Sequence, residues 1–73
     1  QSRKILYRLI SDPDTIIRTT TFNMAEYLVE KKKQLLLNIS NFIIENEQSQ
    51  TEPSQTLIDR VHWIKEKNLN EPT

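Results

Sequence analysis

The sequence predicts an all-α chain, an antiparallel array of about four helices. Three observations carry that expectation. There is no glycine in 73 residues, and tight hairpin turns and phosphate-cradling loops rely on glycine for positive φ, so β-meanders, dinucleotide-binding crossovers and P-loops are disfavoured. Apolar residues recur three and four apart along most of the chain, the spacing of one face of a helix. Prolines stand inside short polar stretches, "SDPDT" and "TEPSQT", where they end one helix and suit the start of the next.

In "SRKILYRLIS" Ile5, Leu6, Leu9 and Ile10 share a face and Arg3, Lys4 and Arg8 surround it, which predicts a short basic amphipathic helix. The "SDPDT" that follows stops it, because proline disfavours helical geometry in the residue before it. It also opens the next helix, with Asp12 as cap and Pro13 at the first helical position. From Thr15 a stripe of Ile17, Thr21, Met24, Ala25 and Leu28 predicts a second helix that reaches "EKKK". The β-branched run Thr19 to Thr21 favours extended backbone, but no turn chemistry or partner strand accompanies it. "QLLLNISNFII" places Leu35, Leu36, Ile39, Phe42 and Ile43 on one stripe with Leu37 and Ile44 beside it, predicting a helix buried on two sides. A polar loop is expected over 46–55, then a last helix from Thr56 to Lys67 with Leu57, Ile58, Val61 and Ile64 inward, and a flexible tail over 68–73.

These elements form two helix–turn–helix units, 1–30 and 31–67. An offset of 40 residues lays Pro13 on Pro53, Asp12 on Glu52, Ile17 on Leu57, Thr21 on Val61 and Met24 on Ile64, and the preceding helices correspond if the second corner carries a few extra residues. Self-similarity at such a period is the mark of a repeat architecture.

An apolar helix ending in "LISDPDTIIR" and continuing to "MAEYL" resembles the HEAT repeat, in Leu9, Asp12, Pro13, Asp14, Ile17, Arg18, Ala25 and Leu28. The resemblance covers Ile5 to Leu28. It implies a piece of a longer α-solenoid, with Asp14 and Arg18 in a ladder of polar contacts between neighbouring repeats. The second unit departs from it, with Ser54 and Ile58 at the ladder positions.

Composition excludes several function classes. Ten basic and ten acidic residues cancel, so no net field draws the chain to nucleic acid or a membrane surface. Without cysteine there is no disulfide framework, zinc ribbon or thiol nucleophile, which fits an intracellular setting, cytoplasmic or nuclear. His62 is the only histidine and has no companion of metal-site spacing. No serine lies in a nucleophile elbow. Neither an enzyme, a cofactor, a metal site nor a membrane partner is expected. Asn38-Ile39-Ser40 matches a glycosylation sequon but falls in the most apolar helix, and Ser49-Gln50 and Ser54-Gln55 are dipeptides too short to carry meaning.

The expected function is a protein–protein interaction scaffold, its partner another protein or neighbouring helical repeats. Trp63 is the chief candidate contact, because it lies about 100° or more from the stripe of Leu57, Val61 and Ile64 and aligns with polar Asn23. Leu37 and Ile44 are further candidates, and since repeats bury their faces against neighbours, the isolated chain is expected to melt with weak cooperativity or to self-associate through them as a helical bundle. A nucleic-acid-binding module is the alternative, with Lys31, Lys32 and Lys33 contacting phosphates if they gather with Arg3, Lys4 and Arg8 on one face.

Overall fold

In the computed structural model, which describes residues 2–29 and 31–70, the chain forms four helices: α1 (Ser2–Leu9), α2 (Thr15–Leu28), α3 (Lys33–Ser49) and α4 (Gln55–Asn70). No strand occurs among the described residues. The helices follow one another as an antiparallel array, α1 packing on α2 and α3 on α4.

The corners close without positive φ at any described residue. A helix leaves its last four carbonyls without partners. At the end of α1 each of them is met locally: Leu6 O by Ile10 N, Tyr7 O by Ser11 Oγ, Arg8 O by Ser11 N and Leu9 O by Asp12 N. Asp12 Oδ1 then accepts from Asp14 N at 2.8 Å, and Asp14 Oδ1 from Ile16 N at 2.9 Å. The cap of α2 is therefore Asp14 and not Asp12, and Pro13 stands in the turn ahead of the helix. A cap's side-chain oxygen must accept from the first free amides of the helix, and Asp14 is the acid adjacent to them.

Residues 46–49, expected in the polar loop, continue α3, so the second corner spans only 50–54. Glu47 gives the reason, since its buried side chain holds this turn in place. Ser54 caps α4 by accepting from Leu57 N at 3.2 Å. Residues 68–70, expected in the tail, are helical, while 71–73 lie outside the described residues. Between α2 and α3, Val29 N donates to Ala25 O and Lys32 N to Val29 O.

The core consists of Ile10, Phe22, Ala25, Leu36, Ile39, Ile43, Leu57, Val61 and Ile64, with Leu6, Tyr7, Val29, Leu35, Phe42 and Ile44 packed against it. On α3 and α4 the inward residues are among those the spacing predicts. On α2 the face is rotated: Arg18, Phe22 and Ala25 are buried, whereas Ile17, Met24 and Leu28 are exposed. Phe22 is the bulkiest apolar side chain of α2, and burying it gains the most.

The rotation changes the internal correspondence. Arg18, Phe22 and Ala25 match Leu57, Val61 and Ile64 at an offset of 39 residues, one less than the offset that aligns the prolines. Like helices also meet: Tyr7 on α1 packs edge-on to Phe42 on α3, centroids 4.8 Å apart, and Arg60 on α4 pairs with Glu26 on α2 at 3.1 Å.

Candidate interaction surface

The two corners lie together, and Arg18 is what joins them. Its side chain and that of Glu47 are both 0% exposed. Arg18 Nε donates to Glu47 Oε2 at 2.6 Å and Nη2 to Glu47 Oε1 at 3.1 Å, a bidentate pair. Nη1 donates to the carbonyls of Asp12 and Pro13, and Nη2 to the carbonyl of Glu52. Glu47 Oε1 also accepts from Ser54 N at 2.9 Å. A buried charge is tolerable only when paired and hydrogen-bonded throughout, and these contacts meet that condition. Gln50 Nε2 adds a bond to Ser11 O at 2.9 Å.

Arg18 thus reaches from the first helix–turn–helix unit into the second. Asp14, its expected companion, caps its own helix instead, and the carboxylate that meets Arg18 is Glu47. Nothing in the sequence marks Glu47, which sits in a polar run and becomes a partner only through the approach of α3 to α2. The apolar core likewise contains Ser40, whose buried hydroxyl has no hydrogen-bond partner.

Trp63 is 56% exposed and outside the core. Arg60 and Lys67 lie over its ring at 5.4 and 5.2 Å from the centroid, distances at which cations are attracted to the ring face. It borders an open cleft between α2 and α4, opposite Asn23, Glu26 and Tyr27. In the core register its counterpart is Met24, not Asn23. Leu37 and Ile44 are half-buried, and Ile44 packs against the chain's own core.

A second hollow, of about 390 Å³, lies between α1 and α2. Leu6, Ala25, Val29 and Leu35 form its floor, and Ile5, Leu9, Met24 and Leu28 stand exposed around it. Of these, Met24 and Leu28 belong to the stripe that the spacing of α2 places in the core. Arg3 and Lys32 border this groove, and both also border an adjoining hollow with Lys33. Neither hollow is lined by an acidic side chain among the described residues. Lys31 is exposed and lines neither hollow.

Among the described residues no cluster of histidine and carboxylate side chains is arranged to hold a metal ion, and no helix is long and apolar enough to cross a membrane. His62 is exposed. Asn38 is also exposed, on the solvent face of α3, and accepts from Gln34 Nε2, so the sequon asparagine is not enclosed as expected. No protein-family model, curated protein or solved structure matches the chain.

Proposed function

We propose that this chain is a protein–protein interaction scaffold, two HEAT-like hairpins of an α-solenoid that present a surface to another protein. The observation that carries the reading is Arg18, which crosses from the first corner to Glu47 and Glu52 of the second, a contact of the kind the resemblance implies between repeats. Like helix lying on like helix supports the same reading, through Tyr7 with Phe42 and Glu26 with Arg60. In a solenoid each unit contacts only its neighbours and the outer faces are left for partners. Large apolar side chains left exposed, here Met24, Leu28 and Trp63, are the raw material of such contacts. An intracellular location accords with this role.

The test is to cross-link the chain to its partners in cells, purify a protein so found, and measure the reconstituted complex. A complex that survives high salt and is lost in Leu28→Asp or Trp63→Ala supports the scaffold. A chain that binds no protein overturns it.

One observation favours a second reading. Arg3, Lys32 and Lys33 border a single hollow, a part of the cation cluster expected for phosphate contacts; Lys4, Arg8 and Lys31 do not line it. Binding of a labelled oligonucleotide that collapses as salt rises would support nucleic-acid binding.

A further inference from the structure

We infer that the groove between α1 and α2 is a docking site for an acidic amphipathic helix of a partner protein. The inference deepens the scaffold reading and rests on it. Three features define the occupant. The groove is floored by the chain's own core and edged by Ile5, Leu9, Met24 and Leu28, of which Met24 is 61% and Leu28 71% exposed, so it wants a row of apolar side chains. A helix lays such a row into a groove at i, i+3, i+4 and i+7.

The shape of the missing neighbour can be read from the second unit. In the core register Met24 corresponds to Trp63, and Trp63 stands opposite another helix, α2, across a cleft bordered by Asn23, Glu26 and Tyr27. Among the described residues no helix covers the equivalent side of the first unit. In the contact present, the helix facing Trp63 brings a carboxylate, Glu26, to Arg60.

Charge settles which helix. The groove is bordered by Arg3 and Lys32 and has no acid on its described lining. A second copy docking groove to groove would set cations against cations, a juxtaposition that like charges penalise. A helix with glutamate or aspartate flanking its apolar row complements both the floor and the rim.

The probe is a synthetic amphipathic peptide with leucines at i, i+3, i+4 and i+7 and glutamates along both flanks; the control carries lysines in place of the glutamates. Fluorescence anisotropy against the intact chain should show the glutamate peptide binding about tenfold or more tightly than the lysine peptide. Leu28→Asp should weaken it about thirtyfold, the size of a hot-spot loss, with circular dichroism unchanged because the side chain is exposed. The double variant Arg3→Glu, Lys32→Glu should reverse the preference towards the lysine peptide.

Equal binding of the two peptides, or no binding to a folded chain, overturns the groove assignment. So does a dimer in sedimentation that Leu28→Asp dissociates, which would give the groove to a second copy. A longer natural polypeptide that carries this chain and excludes the peptide overturns it as well, since the groove would then be covered from within. If the peptides fail while a purified partner still binds at high salt, only the groove assignment falls. If the peptide binds but the chain has no protein partner, the scaffold reading falls, and with it the assignment of the groove to a partner protein.

Discussion

Arg18 and Glu47 are each surrounded by protein, and a pair of this kind stabilises less than its contacts suggest. Desolvating two charges costs several kcal/mol per ion, and mutual attraction with added hydrogen bonds does little more than recover it. Removing one partner is another matter. We expect Glu47→Ala to destabilise the chain by about 3–5 kcal/mol, because the guanidinium stays buried and unpaired. Replacing both, as Arg18→Met with Glu47→Leu, should cost clearly less than the two single changes added together, measured by urea denaturation. A double variant as unstable as the sum would mean that the pair itself carries the stability. The caps admit a similarly sharp comparison. Asp14→Ala removes the acceptor of Ile16 N and should lower stability by about 1 kcal/mol. Asp12→Ala removes only the bond from Asp14 N in the turn and should cost less than half of that. Equal losses in thermal denaturation would argue that the turn, and not the helix start, is what Asp14 supports.

Helix α2 is the element whose buried face differs from the one its spacing predicts. Ile17, Thr21, Met24 and Leu28 form one row, and Arg18, Phe22, Ala25 and Val29 form a second about 100° away. Both have helical period. Packing selected the second because Phe22 buries more apolar area than Met24 would and because Arg18 finds Glu47. The rejected row edges the groove with α1, so the same rotation that completes the core creates the exposed apolar surface. Helix α4 exposes Trp63, whose stabilising contacts are Arg60 and Lys67 above its ring. Cation–π contacts at exposed sites are worth about 0.5–1 kcal/mol each. Trp63→Ala should therefore keep the helix content, as far-UV circular dichroism reads it, and lower stability by about 1 kcal/mol. Its effect on docking to a neighbouring repeat or partner should be larger, about 2 kcal/mol. A collapse of helix content would place the residue in the fold and not at an interface.

Taken together, the four helices share one core. Buried apolar residues come from α2, α3 and α4 and from Ile10 directly after α1, and the corners are tied by Arg18, Glu47 and Gln50. Repeat units that touched only lightly would unfold piecemeal, as the sequence leads one to expect. A continuous core with a buried ion pair between the units couples them, so we expect a single urea transition with slope of about 1 kcal/mol per molar, the low end for small domains. Amide exchange should then give α2 and α3 the same opening free energy. Separate transitions for the two hairpins would instead mean that the Arg18 network fails to couple them. Domains this small bury only about 60% of their unfolded surface, and the exposed Met24 and Leu28 reflect that shortage.

The helical class and the existence of two proline-bearing corners were legible in the residues themselves, whereas a role for Arg18 between units came from the resemblance and named Asp14, not Glu47, beside it. Helical spacing, proline geometry and the lack of glycine act over a few residues, and that range is what a linear reading reaches. Three features required the folded chain. Glu47 meets Arg18 across 29 positions, and no local pattern announces a bond of that span. The choice between two adjacent stripes on α2 depended on what α3 and α4 offered to fill. Arg3 came to share a hollow with Lys32 and Lys33 only because α1 lies beside the turn that follows α2. Local rules set backbone conformation, whereas the faces that are buried, paired or left open follow from how the helices satisfy one another's apolar area and charge.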